Sequence, residues 1–282
     1  MGRAETLAQT LVAQVSEQTR PADMVLVSAT APADVEGIDP AAFGAALFMD
    51  AAPSTTGQRN RLIDAAAGCD IVVFFDDDFI PEPGYLAAVE RALAADPAIV
   101  VATGVVLADG AKGPGLSPAE GRALLAAAAD CAAGGTQPAF NAYGCNMVIN
   151  LARLGPAGVR FDERLPLYAW YEDIDYSRRA MAFGRVVRIT DARGVHLGVK
   201  RGRTSGFRLG YSQVMNPIYL WRKGSYPASH MLRSVGRHAF INAIRALWPE
   251  PHVDRAGRMR GNALAFADLL RGRIDPERVK SL

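Results

Sequence analysis

Asp70-Ile71-Val72-Val73-Phe74-Phe75-Asp76-Asp77-Asp78 is the stretch that decides the fold. Its apolar residues are consecutive rather than alternating, which predicts a strand covered on both faces, as in the middle of a largely parallel sheet. The strand delivers three adjacent carboxylates at its carboxyl end, the edge at which open α/β sheets bind ligands. Neighbouring carboxylates repel one another, and a cation relieves that cost. Mg²⁺ or Mn²⁺, held by one or two carboxylates and by substrate phosphates, suits such oxygen donors. A solvated acidic turn is the other reading of the triplet.

On the amino-terminal side, Leu7, Leu11 and Val15 recur every four residues and predict a helix over Arg3 to Gln18. Met24 to Val27 and Ala46 to Met49 read as strands, and Gln58 to Ala67 as a helix after the loop Pro53 to Gly57. On the other side, Gly84 to Ala95 reads as a helix, Ile99 to Ala102 as the beginning of a strand, and Ser117 to Ala133 as a helix. Ser117, Pro118 and Glu120 form the capping signal of that last helix. The alternation predicts a doubly wound α/β sheet. From Ser205 onward only helical patterns remain, at about Ser205 to Arg222, Ala228 to Leu247 and Arg258 to Leu270. The expected organisation is an α/β domain over residues 1–200 and a helical appendage over 201–282.

Composition supports an ordinary globular chain: half of the 282 residues are apolar and 21% are charged. Cys69, Cys131 and Cys145 are odd in number and far apart, which indicates neither a disulfide framework nor a zinc ligand set. No apolar run approaches the ~18 residues that span a bilayer, and no leader-like segment is visible, so the expected location is the cytoplasm. The net charge of +2 conceals a division. Residues 1–195 hold 15 Lys and Arg against 24 Asp and Glu, while residues 196–282 hold 16 against 5. A basic tail can meet an anionic membrane surface at the inner face, substrate phosphates or nucleic acid. Nucleic acid is disfavoured because no binding motif accompanies the charge. Between Met231 and Trp248, apolar residues lie among Arg233, Arg237, His238 and Arg245. Packing of that apolar face on the α/β domain is the default expectation, and an anionic membrane surface is the alternative.

Other residues can carry chemistry. Tyr171-Glu172-Asp173 opens a helix-like run, which puts Glu172 and Asp173 in a first turn whose dipole favours ionised carboxylates, so either can accept a proton. They can equally be capping residues. His196, after the strand-like Val186 to Ile189, can complete a metal site or simply pack. Lys200 to Gly206 is basic enough to neutralise a diphosphate, or to serve as a solvated linker.

Gly57-Gln58-Arg59-Asn60-Arg61, Phe74-Phe75-Asp76-Asp77-Asp78 with Pro81, Gly144-Cys145-Asn146-Met147, Phe161-Asp162-Glu163, Glu172-Asp173 and His196 occur in an order that resembles the family 2 glycosyltransferases of GT-A fold. The resemblance spans roughly Gln9 to Gly206. It implies an enzyme that moves a sugar from a nucleotide-diphosphate donor to a saccharide or lipid-linked acceptor by an inverting, Mn²⁺- or Mg²⁺-dependent displacement. It also implies that Asp76 faces the donor ribose, that Asp77 belongs to the donor site, and that Asp78 holds the ion, with His196 near the metal or diphosphate. Arg59 and Asn60 would line the nucleotide pocket, and Lys200 and Arg203 would assist the departing diphosphate. Gly144, Cys145, Asn146 and Tyr171 would form the sugar and acceptor pocket, with Asp173 as general base and Glu172 beside it.

The sequence departs from the family pattern at its start, where a strand normally precedes the first helix. Either the start lies upstream of Met1 or the sheet lacks that strand. The Gln-x-x-Arg-Trp signature of processive synthases is absent from the sequence, which favours transfer of a single sugar. A nucleotidyltransferase would need a Gly-rich phosphate loop near the first strand, and none is visible. A non-catalytic sugar-nucleotide binder would not need Glu172 and Asp173.

Overall fold

The computed structural model describes residues 3–50, 52–128, 134–200 and 204–282. Cys131, the end of the helix expected through Ala133, and Arg201 and Arg203 lie outside the described residues. In chain order the elements are α1 (Ala4–Leu11), continued by a π-helical turn at Val12–Ser16, then β1 (Val25–Ala29), β2 (Ala45–Met49), α2 (Thr55–Ala65), β3 (Ile71–Val73), β4 (Phe79–Pro81), α3 (Tyr85–Ala95), β5 (Ile99–Asp109), α4 (Pro118–Ala127), β6 (Thr136–Pro138), β7 (Met147–Asn150), α5 (Leu151–Leu154), α6 (Glu172–Ala180), β8 (Arg185–His196), α7 (Gly206–Lys223), α8 (Ala228–Arg245) and α9 (Arg255–Leu270). Among the described residues, no helix is long and apolar enough to cross a membrane.

The chain forms two compact units, Met1–Ala52 with Asn60–Val159 and Arg179–Gly202, and Pro53–Arg59 with Arg160–Arg178 and Arg203–Leu282. The first unit is the α/β part. Its main sheet has the order β3-β7-β5-β8-β4, with β6 also paired to β8, and β1 and β2 form a separate parallel pair. The β5–β8 pairing is parallel, whereas β3–β7, β5–β7, β4–β8 and β6–β8 are antiparallel. The sheet is therefore mixed.

Three expectations need correction here. The run at Ile71 ends the main sheet's strand path and pairs antiparallel, because an unbroken apolar run reports coverage of both faces and not the direction of its neighbours. The stripe at Leu7, Leu11 and Val15 is only part of the buried face of the first helix, for Thr10, Gln14 and Gln18 are buried there too. Helix α2 starts at Thr55, so the end of the expected Pro53–Gly57 loop is helical. The capping box at Ser117 and Glu120 forms as the spacing predicts.

The core of this unit is built where the sheet meets α3. Phe79, Tyr85, Ile99, Ala102, Val148 and Val187 are buried together, and the rings of Phe75, Phe79 and Tyr85 lie 5.1–6.0 Å apart. Such close packing gives the strand ends fixed positions. In the second unit, α7 and α9 approach closely at glycines: a Cβ on Gly210 would stand 2.1 Å from the Arg258 carbonyl oxygen, and one on Gly261 2.1 Å from that of Phe207. Asn242 Nδ2 donates to Gln213 Oε1 and to Asn262 Oδ1, at 2.9 Å each, joining the three helices through buried amides.

Candidate functional site

Register assembles the site. At the parallel ends of β5 and β8, Asp109 pairs with His196, and on the other side of β8, Phe79 also pairs with His196. Asp78 immediately precedes Phe79, so three strands converge on one imidazole. His196 Nδ1 lies 2.9 Å from Asp109 Oδ1, and Nε2 lies 3.3 Å from Asp78 Oδ1. The Tyr143 ring stands edge-on to the imidazole at 5.8 Å.

The aspartate turn is pinned by backbone and helix. Asp76 N–H donates to the Cys145 carbonyl oxygen, and Leu197 N–H to that of Asp78. Thr10 Oγ1 donates to the Asp77 carbonyl oxygen, and Gln14 Nε2 to those of Asp76 and Phe79. Gln14 sits in the π-helical turn, a distortion frequent at functional sites. Asp78 Oδ2 accepts from Val199 N–H at 2.8 Å. Arg3 Nη1 lies 2.7 Å from Asp77 Oδ1 and 3.5 Å from Asp78 Oδ2.

The charges respond to this arrangement. Burial alone would lower the His196 pKa, but hydrogen bonds to Asp109 and Asp78, with the charges of Asp78 and Asp76, raise it to about 10. Burial likewise opposes ionisation of Asp109, yet the hydrogen bond and charge of His196 bring its pKa down to about 2. Asp78 is lowered for the same reason, against its burial. Asp77 moves the other way, to about 6: burial and the charges of Asp78 and Asp76 outweigh the pull of Arg3.

Asp76, Asp78 and His196 each offer one ligand atom, and these atoms lie within 4.8 Å of one another. Two carboxylates and an imidazole fit an ion such as Mn²⁺ or Mg²⁺, the imidazole favouring the transition metal. Gly144, Cys145 and Asn146 are buried, and the Cys145 carbonyl oxygen is the one that accepts from Asp76 N–H. Thr103 Oγ1 donates to Asn146 Oδ1 at 2.6 Å, while Asn146 Nδ2 is buried with no hydrogen-bond partner among the described residues. Lys200 Nζ donates to the carbonyl oxygens of Gly110 and Ala111 at 3.0 Å each. Asn60 belongs to this unit and is buried.

These observations identify the architecture: parallel and antiparallel strands around β5 and β8, helices against them, and acidic residues at the strand ends. The chain has the GT-A fold. It is similar to a mannosyltransferase from Pyrobaculum calidifontis solved with GDP-Man and Mn²⁺, at 19% identity and a TM-score of 0.54, covering 97% of this chain and 74% of that one. It is similar to glucosyl-3-phosphoglycerate synthase from Mycobacterium tuberculosis, solved with Mn²⁺, UDP and glucosyl-3-phosphoglycerate, at 19% identity and a TM-score of 0.51, covering 81% and 78%. It is also similar to residues 1–349 of S. aureus TarS, at 13% identity and a TM-score of 0.51, covering 97% and 90%. No protein-family model matches the chain, and no curated protein matches it.

The remaining expected residues lie in the second unit of the GT-A chain. Glu172 and Asp173 do open a helix, α6. The segment leading to it is strained, with left-handed φ values of 58°, 54° and 77° at Leu167, Ala169 and Tyr171, a backbone state that side chains disfavour and that clusters at functional sites. Arg59 Nη1 lies 2.8 Å from Glu172 Oε1 in a buried ion pair, and its guanidinium lies 5.4 Å from the Phe161 ring centroid. Asp173 Oδ1 accepts from Ile174 N–H. Tyr171 packs against Trp170 and Tyr226, with its hydroxyl 2.6 Å from Ser234 Oγ.

Sequence reasoning missed Asp109, Arg3, Thr10 and Gln14. Thr10 and Gln14 stand four apart on one helical face, a spacing that was legible but that polar residues usually direct to solvent. Asp109 gave no signal, because it lies seven residues beyond Ala102, where the apolar run that opens its strand ends.

Proposed function

We propose that the chain transfers a single glycosyl group from a nucleotide-diphosphate sugar to a hydroxyl acceptor, with inversion at the anomeric carbon. The acceptor class we favour is a saccharide or lipid-linked saccharide of surface-polysaccharide synthesis. The observation that carries the proposal is the meeting of Asp76, Asp78 and His196 within 4.8 Å at the strand ends of a GT-A sheet.

In this reading those three residues hold Mn²⁺ or Mg²⁺. When bound, the ion stabilises the negative charge of the departing diphosphate. Asp76 also faces the donor ribose, and Lys200, with Arg203, adds positive charge for the leaving group. Asn146 offers its unpartnered amide N–H groups to a sugar hydroxyl beside Gly144 and Cys145. Asp173 takes the acceptor hydroxyl proton as that oxygen bonds to the anomeric carbon and the bond from carbon to the diphosphate oxygen breaks. Glu172 is the weaker base, since taking a proton would break its buried ion pair with Arg59. We assign Arg59 and Asn60 to the nucleotide side of the reaction.

The test is a panel of nucleotide sugars titrated with and without Mn²⁺. Wild-type protein is expected to bind a restricted set of donors in a metal-dependent way. Asp78→Asn abolishes that dependence, and Asp173→Asn keeps donor binding while transfer falls by about 10²–10⁴-fold. Donor binding indifferent to chelation and to Asp78→Asn would overturn the reading.

A further inference from the structure

The outer face of α8 is apolar and basic, and it is exposed among the described residues. Leu232 is 67% exposed, Phe240 68% and Ile244 46%, and just beyond the helix Leu247 is 67% and Trp248 72% exposed. The spacings 232, 240, 244 and 247 keep these side chains on one side of the helix. Met231 and Val235 are buried and Ile241 is half-buried, whereas Leu232, Phe240, Ile244 and Leu247 are exposed. Arg233 and Arg237 are exposed on the same side, and neither has an ion pair among the described residues.

The charge is one-sided. Helices α7, α8 and α9 carry three Lys or Arg each, and their sole acidic residue is Asp268. Asp268 is itself buried, bonded to Tyr211 and ion-paired with Arg278. Nothing acidic on α8 neutralises the arginines interleaved with Phe240 and Ile244.

We propose that this face of α8 seats the protein on an anionic lipid bilayer. The large apolar side chains enter the acyl boundary while Arg233 and Arg237 reach headgroup phosphates, and Trp248 suits the interface through its amphipathic ring. A second copy of the chain fits less well, because a two-fold contact through α8 sets Arg233 and Arg237 against the same residues of the other copy. The inference does not depend on the sugar-transfer reading, since lipid binding is measured without a donor.

The experiment is sedimentation of the full chain with vesicles of phosphatidylcholine alone and of phosphatidylcholine with phosphatidylglycerol. The protein is expected to pellet with the anionic vesicles only, less so as salt rises, with a blue shift of tryptophan emission that Trp248→Phe diminishes. Phe240→Ser/Leu247→Ser and Arg233→Ser/Arg237→Ser should each lower the partition coefficient by at least about tenfold. All four positions are exposed, and unchanged thermal melting will show that the variants fold. Failure to pellet with anionic vesicles at low salt overturns the proposal. So does equal binding to neutral vesicles, or a concentration-dependent dimer that Phe240→Ser/Leu247→Ser dissolves while lipid is ignored.

Discussion

Asp109 holds His196 by the nitrogen that faces away from the aspartate turn, Oδ1 to Nδ1 at 2.9 Å, at the paired ends of two parallel strands. That contact leaves Nε2 directed to Asp78, where an ion would bind in place of the Nε2 proton. A carboxylate on the far nitrogen of a ligating histidine fixes the ring and raises its basicity. Asp109→Asn preserves shape while removing the charge, and is expected to weaken Mn²⁺ binding about 10–100-fold in a calorimetric titration. Unchanged affinity would reduce Asp109 to a cap on Ala111 N–H, which its Oδ1 also accepts.

The turn after His196 depends on glycine. Gly198 has φ of +67°, and a Cβ there would stand 2.1 Å from the Ala111 nitrogen and from the Gly110 carbonyl carbon. Both groups are backbone, so no rotamer change relieves the overlap. The next residue, Val199, gives its N–H to Asp78. Gly198→Ala is expected to lower the melting temperature and to weaken Mn²⁺ binding together. A variant with normal metal affinity would show that the turn does not orient Asp78.

The helices and the acidic triplet were legible in the sequence because apolar periodicity, capping signals and a charged strand end are local features. Their companions were not. His196 and Asp109 meet through pairing of strands 87 residues apart, and the pairing direction of Ile71–Val73 is a property of its neighbour and not of its own residues. Short strands such as Phe79–Pro81 and Met147–Asn150 offer too few residues for a period to show. Thr10 and Gln14 look like solvated polar residues until the Asp76 and Asp77 carbonyl groups are placed against them.

His238 gives a pH dependence with a definite direction. Its Nδ1 lies 2.9 Å from the Ser234 carbonyl oxygen, which only accepts, so the neutral ring carries its proton on Nδ1. Burial drives its pKa down to about 4, against that hydrogen bond and with the help of Arg237, Arg258 and Arg255. The unfolded residue titrates near ~6.5. Between those values the unfolded chain binds a proton that the folded chain refuses, so this residue's contribution to stability is intact above ~6.5 and is lost as pH falls toward 4. Melting curves of wild type and His238→Gln should therefore diverge, the wild type losing several degrees more over that window. Parallel curves would place the acid sensitivity elsewhere.

Arg3 serves the acidic turn as an internal cation. Its guanidinium spans Asp77 and Asp78 and donates to the Val199 carbonyl oxygen at 3.1 Å. A divalent ion at Asp76, Asp78 and His196 would offset the same repulsion, so Arg3 and the ion compete through shared carboxylates. Removing Arg3 makes the turn more negative, which costs stability when no ion is bound and strengthens attraction for one that arrives. Arg3→Ala is expected to lower the melting temperature in chelator by about 2–4 °C, to close most of that gap at saturating Mn²⁺, and to raise Mn²⁺ affinity severalfold. Thermal scans with and without the ion measure both effects. A gap of equal size in the two conditions would mean that Arg3 packs against the turn without balancing its charge.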